Sequence, residues 1–201
     1  HSKRQDSHII YLVKTVEALD VALPFITKVV ASGKKVLFVG TKKQIKDATK
    51  ATAEAAGQPY VTERWIGGML TNVTTITAQL KKLRDLEKRM ASGDLEKRYN
   101  KLEVQRFQEE IDELNRKYGG IKDLSGRPGA LFVTDVIADA NAIREAKTLG
   151  IPVVAIVDTN ANPDDVDYVI PANDDAIKSV QLLLDYVSAA IAEGTVKKEE
   201  K

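Results

Sequence analysis

Cysteine is absent from the 201 residues, which removes disulfide frameworks, thiolate metal cages and cysteine nucleophiles together. A reducing cytosol suits such a chain. Only two histidines occur, His1 and His8, both at the start, so catalytic triads and histidine-rich metal sites have no materials. No apolar run approaches the roughly 18 residues that a membrane span needs, and the start lacks the basic, apolar and small-residue order of a secretory signal. A membrane or exported protein is not expected. Nucleotide fingerprints are missing too: neither G-x-G-x-x-G nor G-x-x-x-x-G-K-[ST] occurs. The first residue is His1 rather than Met, which fits a processed or truncated chain.

What is present is a soluble, folded composition, 43% hydrophobic and 29% charged. The net charge of +1 conceals an asymmetry. Residues 1–72 carry 11 Lys/Arg against 6 Asp/Glu, residues 73–122 carry 12 against 9, and residues 123–201 carry 7 against 14. A polyanion partner would therefore sit on the first half and the middle segment. An unevenly charged solvated surface is the plainer alternative.

Short apolar runs recur at Val36 to Val39, Ala130 to Val133 and Val153 to Val157, each bounded by Gly, Pro or Asp. Such runs read as strands buried on both faces. Helical stretches alternate with them, over residues 14–32, 42–56, 139–149 and 175–192, which predicts a parallel sheet wrapped by helices, an α/β fold. Residues 9–12, 60–62 and 168–170 are candidates to extend the sheet. Pro24 is expected to bend or interrupt the first helix. Residues 193–201 read as a polar, frayed tail.

Residues 73–118 break the alternation. Val73, Ile76, Leu80, Leu83, Leu86 and Met90 form one apolar seam, and Leu95, Tyr99, Leu102, Val104, Phe107, Ile111, Leu114 and Tyr118 form a second, joined through Ser92-Gly93-Asp94. Two narrow seams predict an antiparallel helical hairpin that projects from the sheet domain. Two ordinary packed helices are the other reading. The sheet domain is then discontinuous, residues 1–72 and 119–192.

Three segments could carry chemistry. In Gly40-Thr41-Lys42-Lys43-Gln44, Thr41 and Gln44 match a capping box, while two lysines in a first helical turn oppose the macrodipole. Either they serve a phosphate oxygen at the strand end, or they are merely solvated. In the stretch Arg64-Trp65-Ile66-Gly67-Gly68-Met69-Leu70-Thr71-Asn72, Arg64 can pair with phosphates, Gly67 and Gly68 allow close approach of a sugar-phosphate chain, and Asn72 can cap the next helix. Trp65 is read as half core, with base stacking as its alternative use. Asp135, Asp158 and Asp174 end or follow apolar runs and could share a crevice, either for magnesium or as turn and cap residues.

Residues 36–44, 64–72, 118–123 and 151–160, with the 128–152 stretch carrying Asp135, Asp139, Ile143, Glu145, Gly150 and Ile151, closely resemble the bacterial ribosomal protein S-two family of the small subunit. The resemblance runs from about Ile9 to Ala192. It implies a three-layer flavodoxin-like parallel sheet with an inserted antiparallel coiled-coil hairpin. It also implies no catalysis, and no cofactor and no metal-ligand residues are assigned. Implied partners are small-subunit ribosomal RNA, neighbouring small-subunit proteins and, where it exists, the large mRNA-binding protein S-one, with a cytoplasmic place in the ribosome and no membrane. On that likeness the RNA-facing set is Lys42, Lys43, Arg64, Gly67, Gly68, Thr71 and Asn72. The chain departs from the family in two ways: Tyr11 stands where relatives carry Asp, and a Gly- and His-containing motif with a Trp-Asn-Pro element ahead of the first strand is absent. Without the likeness, a nucleotide- or phosphate-binding enzyme and a coiled-coil adaptor are the competing readings.

Overall fold

The computed structural model describes the backbone of residues 2–4 and 7–199 and the side chains of residues 9–199. Strands β1 (Ser2–Arg4) and β2 (Ser7–Ile9) pair antiparallel as a separate ribbon. Helix α1 (Leu12–Ala31) leads into β3 (Val36–Val39), α2 (Lys46–Ala55) and β4 (Tyr60–Val61). Three helices follow, α3 (Val73–Ala91), α4 (Asp94–Arg98) and α5 (Lys101–Tyr118). The chain then alternates through β5 (Ala130–Val133), α6 (Ala140–Thr148), β6 (Val153–Val157), β7 (Tyr168–Pro171) and α7 (Ile177–Glu199). The five main strands are all parallel in the order β4-β3-β5-β6-β7.

Two-residue periodicity explains the layers. On β3, Val36 and Phe38 join a core with α1 and α7, while Leu37 and Val39 face the opposite core with α6 and the 61–121 segment. Each central strand is buried throughout because both of its faces are covered, the condition for an all-parallel sheet. The result is an α/β three-layer sandwich of flavodoxin-like type. Its edge strands are the Tyr60 and Tyr168 segments, as expected from the sequence.

Other expectations need correction. Residues 9–12 do not extend the main sheet: Ile9 closes the small ribbon and Leu12 begins α1. Pro24 does not interrupt α1. It costs the helix one N–H donor, but the flanking turns bury Leu19, Ala22, Ile26, Val29 and Val30, and Thr27 Oγ1 donates to the Ala190 carbonyl at 3.1 Å, so packing outweighs the local penalty. The 193–199 stretch is not frayed but continues α7, with a Glu193–Lys197 pair one turn apart. Residues 200 and 201, like His1 and the His8 side chain, lie outside the described residues.

The middle segment has three helices where two were expected. Asn100 takes an extended conformation and its Oδ1 accepts from the Glu103 backbone N–H at 3.0 Å, while Glu103 Oε2 accepts from the Asn100 N–H at 3.0 Å. This reciprocal cap starts α5 afresh and ends the second arm's continuity. Ile76, Leu83, Leu86, Ile111 and Leu114 join the same apolar core as Trp65, Met69 and Leu70, so α3 and α5 are rooted in the sheet domain. Val73 and Leu102, counted in the seams, stay more than half exposed.

Candidate nucleic-acid interface

The loops at the carboxyl ends of β3, β4, β5, β6 and β7 gather on one edge of the sheet. The β3 loop was expected to open a helix at Lys42 through a Thr41–Gln44 capping box, but α2 begins only at Lys46 and Thr41 is engaged elsewhere. Its N–H and hydroxyl both donate to the Asp139 carboxylate, at 3.2 and 2.8 Å. Asp139 is almost wholly buried, and burial pushes its carboxyl up to about 6 against the lowering pull of the Thr41 bonds.

Lys42 points into the crevice. Its Nζ lies 3.1 Å from Asp135 Oδ2, 2.8 Å from Asp174 Oδ1 and 2.7 Å from Asp175 Oδ1. Burial alone would lower its pKa, but the bonds to Asp174, Asp175 and Asp135 outweigh this and hold the ammonium firmly protonated. Asp158 joins the edge by accepting the Asp174 N–H at 3.2 Å. Of the carboxylates that suggested a magnesium pocket, Asp135 and Asp174 thus converge on the Lys42 ammonium, while Asp158 is linked to them through the Asp174 N–H. Among the described residues, no group of three or more His, Cys, Asp or Glu is arranged to hold a metal ion. Asp139 and Asp174 do not cap helices with their side chains. Asp135 Oδ1 instead accepts from the Ile137 and Ala138 N–H groups, and Asn173 Oδ1 accepts from Asp175 and Ala176.

The β4 loop folds around a carboxylate from α6. Glu145 Oε1 accepts from Trp65 Nε1 at 3.0 Å and from the Gly68 N–H at 2.7 Å. Its Oε2 accepts from the Leu70 N–H at 2.9 Å and from the Thr71 N–H and hydroxyl, both at 3.1 Å. Burial would raise the Glu145 carboxyl, but these donors, Trp65 foremost, hold it below the ordinary carboxylate value. Trp65 is only 6% exposed and its N–H is spent on Glu145, so base stacking by its ring is excluded in this conformation. Gly68 has a φ of +87°, where a side chain would be strained and a Cβ would lie 3.0 Å from Asn72 Cβ. Asn72 caps α3 as expected, its side chain accepting from the Thr75 N–H at 3.3 Å.

Lys43, Arg64, Gly67, Thr71 and Asn72 are exposed, while Lys42 and Gly68 are half-buried. Neither Lys43 nor Arg64 lies within ion-pair distance of a carboxylate among the described residues. Their loops follow neighbouring strands and are tied together by Lys46 and Glu63 at 2.8 Å. Sequence reasoning missed the roles of Glu145 and Asp175. Glu145 stood in the 128–152 signature, but nothing local marked it as the acceptor for a loop some 75 residues earlier. No described helix is long and apolar enough to cross a membrane.

The family model matching this chain is that of ribosomal protein S2, over residues 1–194. Among similar proteins, small ribosomal subunit protein uS2 of Chloroflexus aggregans (strain MD-66 / DSM 9485) is 47% identical over 196 residues, covering 98% of this chain and 82% of the relative. The uS2 protein of Roseiflexus sp. (strain RS-1) is 48% identical, covering 98% of this chain and 74% of the relative.

Proposed function

The chain belongs to the ribosomal protein S2 family, and from that premise we propose that it is an architectural component of the small ribosomal subunit that binds ribosomal RNA. The observation that carries this reading is the family match across nearly the whole length, at 47–48% identity to named small-subunit proteins. Its work is positional rather than catalytic, and its place is the ribosome in the cytoplasm. Neighbouring small-subunit proteins are partners, and protein S-one joins them where the subunit carries it. The exposed Tyr11, Leu12, Val13 and Val16 at the start of α1 suit a protein neighbour of that kind. Residues 73–118 act in this reading as a coiled-coil hairpin that reaches a second RNA or protein surface.

Within the candidate set, Lys43 and Arg64, unpaired among the described residues, are the cations that can replace counterions on phosphates. Gly67 leaves room for a sugar-phosphate chain, since no atom lies within 4 Å of a Cβ built there. Thr71 and Asn72 offer exposed polar edges. Lys42 and Gly68 contribute by fixing the two loops. The test is the double variant Lys43→Ala/Arg64→Ala, cosedimented with small-subunit RNA across a salt series. Each lost phosphate contact should reduce the slope of log affinity against log salt by about 0.7 to 0.9, so the pair should lower it by roughly 1.5 and weaken binding most at low salt. An unchanged slope would remove these two residues from the interface.

A further inference from the structure

Five donors from one loop converge on a single carboxylate that belongs to another element. Trp65 Nε1, three backbone N–H groups and the Thr71 hydroxyl all point at Glu145, and each carboxylate oxygen takes at least two of them. Several N–H groups aimed at one point create a concave, electropositive cradle of the kind that binds anions. Here the anion is internal. The loop's amides at Gly68, Leu70 and Thr71 are already occupied, so an external phosphate cannot use them while Glu145 is in place.

We propose that Glu145 is the positioning residue of the RNA-facing loop: its carboxylate fills the amide cradle of residues 65–71 and so holds Arg64 and Gly67 outward. The inference rests on the RNA-binding reading above and sharpens it. Phosphate recognition at this loop then runs through the Arg64 side chain and the open backbone at Gly67, not through the loop amides. The geometry supports this division, because Trp65 is buried against the core beside Arg64, which is exposed. Trp65 therefore anchors the loop at its start, Thr71 at its end, and one side chain on α6 ties both. Without the carboxylate the donors would face one another's positive ends in a site that is partly closed to water, and the loop would open.

The test uses Glu145→Gln, which keeps the shape but puts an amide NH2 against one set of donors, and Glu145→Asp, which keeps the charge but falls short of reaching both sets. Trp65 is the only tryptophan, so its indole N–H resonance reports the contact directly. In Glu145→Gln that resonance should move, and amide exchange at Gly68, Leu70 and Thr71 should quicken by about tenfold or more, the scale of one lost charge-assisted bond, while β3, β5 and β6 amides keep their protection. Association with small-subunit RNA should weaken by about tenfold, and its salt slope should fall by about one phosphate contact. Loosened amides with unchanged RNA association and slope would overturn the inference, and so would unchanged amides. The Lys43→Ala/Arg64→Ala variant separates the two failures. If it weakens binding while Glu145→Gln and Glu145→Asp do not, only the positioning role falls. If wild-type protein fails to bind the RNA, the RNA-binding reading falls and takes this one with it.

Discussion

Lys42 and Lys43 are sequence neighbours with opposite fates. Lys42 is drawn into the sheet edge by Asp135 and Asp174, whose side chains are 8% and 5% exposed, while Lys43 projects to solvent. Burial pushes the Asp174 carboxyl up and Lys42 pulls it down, so the carboxylate depends on its cation. Removing that cation leaves two buried carboxylates facing each other. Lys42→Ala should therefore destabilise the fold by about 3 kcal/mol, measured by urea unfolding at neutral pH. Lys42→Ala as stable as wild type would show that the crevice tolerates unpaired carboxylates. That both lysines lie at a strand end was legible from the apolar run before them. Which one turns inward was not, because the deciding carboxylates come from loops some 90 and 130 residues further along.

At the scale of elements, the two longest helices meet with no room for a side chain at one crossing point. Helix α1 crosses α7 where Gly194 sits, and a Cβ there would lie 2.7 Å from the Thr27 carbonyl oxygen and 2.9 Å from Val30 Cβ. The obstacle is backbone, so it cannot rotate away. Gly194→Ala should cost about 1 to 3 kcal/mol as overpacking, seen as a lowered thermal midpoint, even though alanine is the better helix former. Helix and strand identities were largely readable from periodicity, since β3, β5 and β6 are the three continuous apolar runs and α3 follows its 3-4 seam. The boundaries were less so. Helix α2 starts a turn late because Thr41 is taken by Asp139, a partner 98 residues away. The break before α5 had a local signal, Asn100 followed by Glu103, that the apolar seam obscured.

For the whole molecule, the acidic last third acquires a structural meaning. Five of its carboxylates, Asp135, Asp139, Asp158, Asp174 and Asp175, line the crevice edge rather than an evenly solvated surface. Among them, the titration of Asp139 should shape global stability. The Asp139 carboxyl is raised by burial, so the folded state holds its proton more tightly than the unfolded chain does. That contribution is fully present below about pH 4, the unfolded value, and is lost as pH rises through about 6. Glu145 and Glu87 act in the other sense. Both are held below the ordinary value despite burial, Glu87 by Lys122 and Asn115, so their contributions are present above the unfolded pKa of about 4.3 and are lost as pH falls through the lower folded value. Wild-type stability should decline between about pH 4 and 7 by on the order of 2 to 3 kcal/mol from Asp139 alone. Asp139→Asn, whose amide can still accept the Thr41 N–H and donate to its hydroxyl, should flatten that decline in urea titrations across this range. A decline that persists in the variant would assign it to another group. By itself the sequence determined the alternation of buried strands and amphipathic helices, the lack of thiol chemistry, and the basic first half, because these depend on composition and on periods of two and 3.6 residues. Only the tertiary structure decided which cations stay free and which anions are already satisfied. Lys42, Thr41 and the 65–71 loop meet their carboxylates across distances in sequence that no local pattern encodes, and a charge is open to a partner only when the fold has not already paired it.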